Sequence, residues 1–325
     1  MDISVIVPVW CVENYIEQCL RSLFNQTKTD GVEFILVNDC TPDRSMEIAR
    51  QVIVEYPKLT IRIIEHTENR NVSATRQTGV DAAIGDYIIQ IDSDDWCEPT
   101  MLEDMYAKAI ESDADILYCD FIEEKYKKQV DCKTGFDAIE SLFNDSYLFT
   151  PSLWNKLIRR TLYTNYNITI NDVKLYTGED YYAIVKLCFF TDKIVYLPSA
   201  YYHYRQDNTL SLTKKIFSYK DASRFIILIE EFFKANNCRI FENSLLTFKA
   251  THKLIWLAFR GHSIKKQREC IKYFPEADRY LIKSSRFSLA TRVPYFFATH
   301  GFLYLANFLF KTKARLSHFL KTKRL

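Results

Sequence analysis

Tyr87-Ile88-Ile89-Gln90-Ile91-Asp92-Ser93-Asp94-Asp95-Trp96 is the stretch that decides the fold of this 325-residue chain. A short, β-branched apolar run reads as a strand buried on both faces, as in a parallel sheet. It ends abruptly in three acids within four residues. Upstream, a helix starts near Ser73, with Gly85 at a plausible C-terminal cap. Earlier still, residues 60–64, 34–37 and 3–7 repeat the strand signature. Between them, Tyr15, Ile16, Cys19, Leu20, Leu23 and Phe24, then Ala49, Val52, Ile53 and Tyr56, fall at helical spacing. Downstream, a helix begins near Pro99, which suits a first turn, and residues 116–122 form a fifth strand. Strand–helix alternation at this spacing predicts an α/β fold with a mixed, mostly parallel, Rossmann-like sheet.

Ligands of open α/β sheets bind beyond the carboxyl ends of the strands. Three strand ends carry chemistry here: Pro8-Val9-Trp10, Asn38-Asp39 and Asp92-Ser93-Asp94-Asp95. Together they put four carboxylates near one crevice, where a divalent cation or raised pKa values must relieve their repulsion. No glycine-rich phosphate loop is present. A hard cation held by a carboxylate and completed by a diphosphate is the alternative device.

Composition narrows the class. With 48% hydrophobic and 15% aromatic residues the chain can bury a full domain and an appendage, and a net charge of +2 is ordinary for an enzyme. Nine scattered cysteines without a C-x-x-C pair suggest neither a disulfide framework nor a zinc site, and point to a reducing cytoplasm. The amino terminus lacks a signal-peptide pattern.

Taken in order, V-I-V-P-V-W (5–10), V-N-D-C-T-P-D (37–43), E-N-R-N-V-S-A-T-R-Q-T-G (68–79), I-D-S-D-D-W (91–96), W-N-K-L (154–157) and G-E-D (178–180) resemble the family 2 glycosyltransferases. The resemblance runs to about Leu212 and implies the GT-A fold, inversion at the anomeric carbon, and hexosyl transfer from a nucleotide sugar, as in bacterial surface-polysaccharide biosynthesis. It implies that Pro8 and Trp10 shape the base pocket, Trp10 standing where tyrosine is usual. Asp39 would bond the base, uracil by the same resemblance. Arg76 would line the donor site near the phosphates, Asp92 would meet the ribose, and Asp94 would hold Mn²⁺ or Mg²⁺ against the diphosphate. Asp180 would be the general base on an acceptor hydroxyl of a glycan or lipid-linked saccharide. Asn38, Asn71 and Cys11 depart from the family's usual aspartate, glycine and asparagine. None removes a catalytic charge.

Each residue also has a structural reading: Trp10 as core, Asp39 as a turn or helix cap, Arg76 as a helix-face residue, Asp92 as a turn cap, Asp95 as site lining or cap. Glu179-Asp180 would equally suit a helix start. Trp154-Asn155-Lys156 reads as part scaffold and part acceptor wall. Residues 194–204 form a tyrosine-rich strand ending in His203-Tyr204-Arg205. His203 would be a metal ligand or phosphate donor, or a packed core histidine, and Arg205 a charge clamp.

The expected organisation is a GT-A domain over 1–212, with 1–120 binding the nucleotide sugar and 121–212 on the acceptor side. A helical region follows over 213–325. From Arg279 onward there are ten bases and no acids, so the rest of the chain carries a net −8 beneath the overall +2. Residues 293–310 are charge-free and aromatic. They suit an interfacial helix on an anionic membrane, giving a peripheral location on the inner face, or a helix docked on the protein. No nucleic-acid motif accompanies the bases. An aspartate-nucleophile phosphotransferase would need its acids after the first strand, and a nucleotidyltransferase a basic glycine-rich loop there. A non-catalytic glycan-binding relic is the remaining alternative.

Overall fold

A computed structural model describes residues 1–145, 148–170, 175, 177–209, 218–258 and 263–322, with side chains through 312. The chain forms two compact units, Met1–Lys215 and Ile216–Leu325. The expected 212/213 boundary lies outside the described residues.

The first unit opens with β1 (Ile3–Val9), α1 (Ile16–Phe24), β2 (Val32–Asn38), α2 (Ser45–Val54), β3 (Thr60–Glu65), α3 (Val72–Ala82) and β4 (Tyr87–Gln90). Every residue of β1 is buried, which explains why its sequence is apolar rather than alternating. β3 alternates in exposure because it is the sheet edge. The unit continues through β5 (Trp96–Cys97), α4 (Met101–Glu111), β6 (Ile116–Ile122), β7 (Tyr126–Lys127), α5 (Gly135–Asn144), β8 (Lys156–Arg159), α6 (Arg160–Asn165), α7 (Glu179–Phe189) and β9 (Ile194–His203). The strands form one sheet in the order β3-β2-β1-β4-β8-β6-β9-β5, with β7 on β6. β1, β2, β3 and β4 pair in parallel, as do β6 and β9; β8 runs antiparallel between β4 and β6, and β5 antiparallel to β9. The GT-A architecture is thus a mixed sheet whose parallel half carries the first three motifs.

Pro8 lies inside β1, opposite Val37 of β2. Ile6 accepts from Ile91 on the β4 side and Val9 from Asp39 on the β2 side. By alternation, the missing N–H of Pro8 faces the β4 side, where the ladder with β4 ends at Gln90. Gly85 is not a helix cap. α3 ends at Ala82, and Gly85 instead lets two backbones touch: a Cβ there would sit 2.6 Å from Ser4 N.

The second unit contains α8 (Tyr219–Ala235), α9 (Glu242–Ala258), α10 (Ile264–Ile271), α11 (Pro275–Lys283), α12 (Leu289–Thr299) and α13 (Leu303–Thr322). Buried Lys253 fixes three of these helices: its ammonium donates to Ile271 O (3.0 Å) and Tyr273 O (2.6 Å) and pairs with Asp278 (2.7 Å). The charge-free stretch 293–310 is two helices, not one. Gly301 takes φ +90 after the His300 cap. Phe302 N then reaches Phe297 O (2.9 Å) and Gly301 N reaches Ala298 O (3.2 Å). The Phe297 and Phe302 rings meet at 6.2 Å, completing a Schellman turn.

Candidate active site

The parallel register brings the loaded strand ends side by side. Val9 lies opposite Asn38, and Asp92 follows β4 on the other flank of β1. Trp10, at the end of β1, is 38% exposed and offers a ring at the crevice. Asp39 is buried, with both oxygens engaged. Its Oδ1 accepts from Arg70 N (2.8 Å) and pairs with His66 Nδ1 (2.8 Å), and its Oδ2 accepts from Asn71 N (3.0 Å). The carboxylate therefore anchors the start of α3, where a negative charge also suits the helix dipole. An ionised carboxylate has about four acceptor positions, so Oδ2 retains capacity for a ligand. His66, bonded in turn to Thr78 (2.9 Å), is a supporting residue that sequence reading missed.

Two of the three departures from the family pattern have a backbone cause. Asn71 sits at φ 76, ψ 164, a region that favours glycine, and its side chain accepts from Ala74 N to cap α3. Cys11 is at φ 54, where asparagine is the better-tolerated residue.

Arg76 is no surface residue. Its side chain is only 5% exposed, and it bonds Asp92 through Nη2 (2.6 Å) and Asp180 through Nη1, with Glu179 at 3.5 Å. One guanidinium thus ties the acid after β4 to the two acids that open α7. Burial pulls its pKa down, but the three carboxylates prevail and hold the cation. Burial, with Asp92 adding and Arg76 opposing, lifts Asp180 above the usual aspartate range. Burial and the neighbouring Asp180 push Glu179 up to about 7. Glu179 is the second residue whose weight sequence reading underrated.

The acidic turn is held from the far side of the sheet. Asp95, buried, accepts from Tyr202 OH (2.6 Å) and Arg205 N (2.7 Å); burial together with Asp92 and Asp94 pushes it up to about 9. It supports the turn from beneath. Asp94 accepts from Asn208 (2.7 Å), and burial, then Asp92, raises its pKa. Arg205 donates to Asp94 O (2.6 Å) and lies over the rings of Tyr15 and Trp96, so it clamps the turn's backbone. His203 stacks on Trp96 at 4.8 Å and turns Nε2 toward Glu98 (2.6 Å) rather than toward the acids. Trp154, Asn155 and Lys156 are buried and form scaffold, not an acceptor wall. Trp154 stacks on Tyr202 at 4.2 Å, and Lys156 donates to Thr150 O and Ser152 O.

Among the described residues, no three His, Cys, Asp or Glu side chains converge as a ready-made metal cage. The donor set fits a different arrangement. Asp94 is a half-buried carboxylate destabilised by Asp92, which a cation would relieve, and Mg²⁺-like ions take one or two carboxylates plus substrate phosphates.

The chain is similar to known proteins in sequence and in fold. Glycosyltransferase GlyA of Streptococcus pneumoniae serotype 4 is 33% identical over 219 residues, 62% of this chain and 30% of its own length, so this chain matches under a third of that relative. Staphylococcus aureus TarS 1-349, solved with UDP-GlcNAc, has the same fold at a TM-score of 0.73 and 19% identity, over 97% of this chain and 92% of that one. The mannosyltransferase PcManGT of Pyrobaculum calidifontis, solved with GDP-Man and Mn²⁺, aligns at a TM-score of 0.56 and 16% identity, over 94% and 85%. The pattern described as Glycosyl transferase family 2 matches residues 4–181, from β1 through the acid that Arg76 holds, and this GT-A chain belongs to that family.

Proposed function

We propose that the chain transfers a hexosyl group from a UDP-sugar to a hydroxyl of a glycan or lipid-linked saccharide, with inversion, in the cytoplasm. The Arg76 bridge carries this reading, because Arg76 reaches across 104 residues of sequence to Asp180, a general-base candidate, and holds the donor-site acid Asp92 with the same guanidinium. The UDP-GlcNAc complex of TarS and the nine free thiols of this chain support the donor class and the reducing compartment. In this reading residues 1–120 bind the donor and 121–212 face the acceptor. Trp10 stacks on the base and Asp39 accepts from it, while Asp92 meets the ribose. Asp94 would hold Mn²⁺ or Mg²⁺, which supplies positive charge to the departing diphosphate. Pro8 shapes the base pocket from within β1, and Arg205 braces the acidic turn. His203 orients Trp96 at its edge.

Asp180 takes the acceptor's proton as that oxygen attacks the face opposite the diphosphate. Burial makes it a stronger base than a solvated aspartate, while Arg76 favours its ionised form. Asp180→Asn should therefore lower transfer by roughly 10²–10⁴-fold while donor affinity moves by less than about 1 kcal/mol. UDP release with an acceptor panel, and UDP-sugar titration on the same preparation, measure both. Wild-type turnover in the variant would remove Asp180 from the role. Donor binding by the wild-type chain without any hydrolysis or transfer would favour a glycan-binding relic.

A further inference from the structure

The second unit ends in an apolar face that its own core does not use. On α12, Thr291, Pro294, Tyr295 and Ala298 are buried, while Leu289, Val293 and Phe296 are exposed, at steps of four and three along one stripe. On α13, Leu303, Ala306 and Phe310 are buried, while Tyr304, Leu305 and Phe308 are exposed, Tyr304 at 78% and Phe308 at 67%. The two helices pack on one another, and the Schellman turn at Gly301 joins them, leaving Phe302 60% exposed. Solvated apolar surface on this scale marks an interaction site.

Charge identifies the occupant. The stretch from Arg279 to the end holds ten bases and no acids, and Lys283 and Lys311 flank the apolar stripes as exposed residues. The remainder of the chain is net −8, so the excess of positive charge is confined to this stretch of sequence. A second copy set against this face would bring its own Lys283 and Lys311 toward those of the first, which disfavours self-association. An anionic surface receives both the aromatic stripe and the bases. No helix among the described residues is long and apolar enough to cross a membrane, so the mode is lying on the surface rather than spanning.

We propose that α12 and α13 dock on an anionic lipid bilayer, with the aromatic stripe at the headgroup–acyl boundary and Lys283 and Lys311 over the headgroups. The inference is independent of the donor chemistry. Full-length protein should co-sediment with phosphatidylcholine–phosphatidylglycerol vesicles at low salt, bind pure phosphatidylcholine far less, and lose binding in high salt as the attraction is screened. The double variant Tyr304→Ser/Phe308→Ser, altered only at exposed positions, should lower vesicle partitioning by at least about tenfold. Its circular dichroism and UDP-sugar turnover should match wild type. Lys283→Glu/Lys311→Glu should lose anionic-vesicle binding by at least about tenfold, since each base near such a surface is worth roughly fivefold. Full-length protein that ignores anionic vesicles at low salt overturns the proposal, as does a Tyr304/Phe308 variant that binds them undiminished. A wild-type dimer, seen by light scattering, that the double variant dissolves without change in vesicle binding would assign the face to a second copy.

Discussion

Replacing Glu179 with glutamine should stabilise the first unit in alkaline solution and leave it unchanged in acid. Glu179 is buried beside Asp180, and one guanidinium serves three carboxylates. Burial first, and then Asp180, raise its pKa from 4.5 to about 7. An acid whose folded pKa exceeds its unfolded value binds more protons in the folded state, so stability falls as pH rises between those two values. At about 1.4 kcal/mol per pKa unit, the shift amounts to a cost on the order of 3 kcal/mol above neutrality. Glutamine never ionises, so the variant should avoid that cost, and the two proteins should agree within about 1 kcal/mol near pH 5, where Glu179 is neutral in the fold. Urea unfolding near pH 5 and near pH 8, followed by tryptophan fluorescence, gives the double difference; Trp10, Trp96 and Trp154 report on the same unit. A double difference below about 1 kcal/mol would refute the charge accounting. It would mean that Arg76 balances all three acids.

Two other substitutions test separate parts of the site. Asp94→Asn keeps the shape and removes the ligand charge, so Mn²⁺-dependent UDP binding should vanish while the unfolding midpoint holds; undiminished metal-dependent affinity would place the cation elsewhere. Asn71→Gly should stabilise the fold by about 1 kcal/mol, because relief of the φ 76, ψ 164 backbone exceeds the lost α3 cap and the greater freedom of glycine when unfolded. A higher urea midpoint at constant m-value supports this, and a lower midpoint shows that the Asn71 cap dominates.

The sequence made β1 through β4, β6 and the helices between them legible because their burial is one-sided or complete, and hydrophobic period reports burial. β5, β7 and β8 were not legible. Two to four residues carry no period, and these strands exist only because a distant partner accepts them, as β9 does for Trp96-Cys97. Of the site, the acidic turn and Asp180 could be read as motifs, but not their connection, since Arg76 looks like any helix arginine until the fold buries it. Gly85 was misread because a glycine that permits close approach and a glycine that ends a helix look alike in one sequence. The break at Gly301 was visible as an interruption. Which side of each resulting helix meets solvent was not, since every second or third residue there is apolar.

The support of the acidic turn sets a timetable for synthesis. Asp95 is gripped by Tyr202 and the Arg205 amide, Asp94 is capped by Asn208, and β5 pairs only with the end of β9. The strands β1 to β4 all lie within the first ninety residues, whereas a domain generally folds as a unit once its parts have emerged from the ribosome. For the next hundred or so residues of translation, Arg76 can hold Asp92, but Asp94 and Asp95 lack the partners that fasten them. The acidic turn is therefore completed late, when the segment around residues 202–208 arrives. A chain cut off before that point would lack the hydrogen bonds that Tyr202, Arg205 and Asn208 give to Asp95 and Asp94.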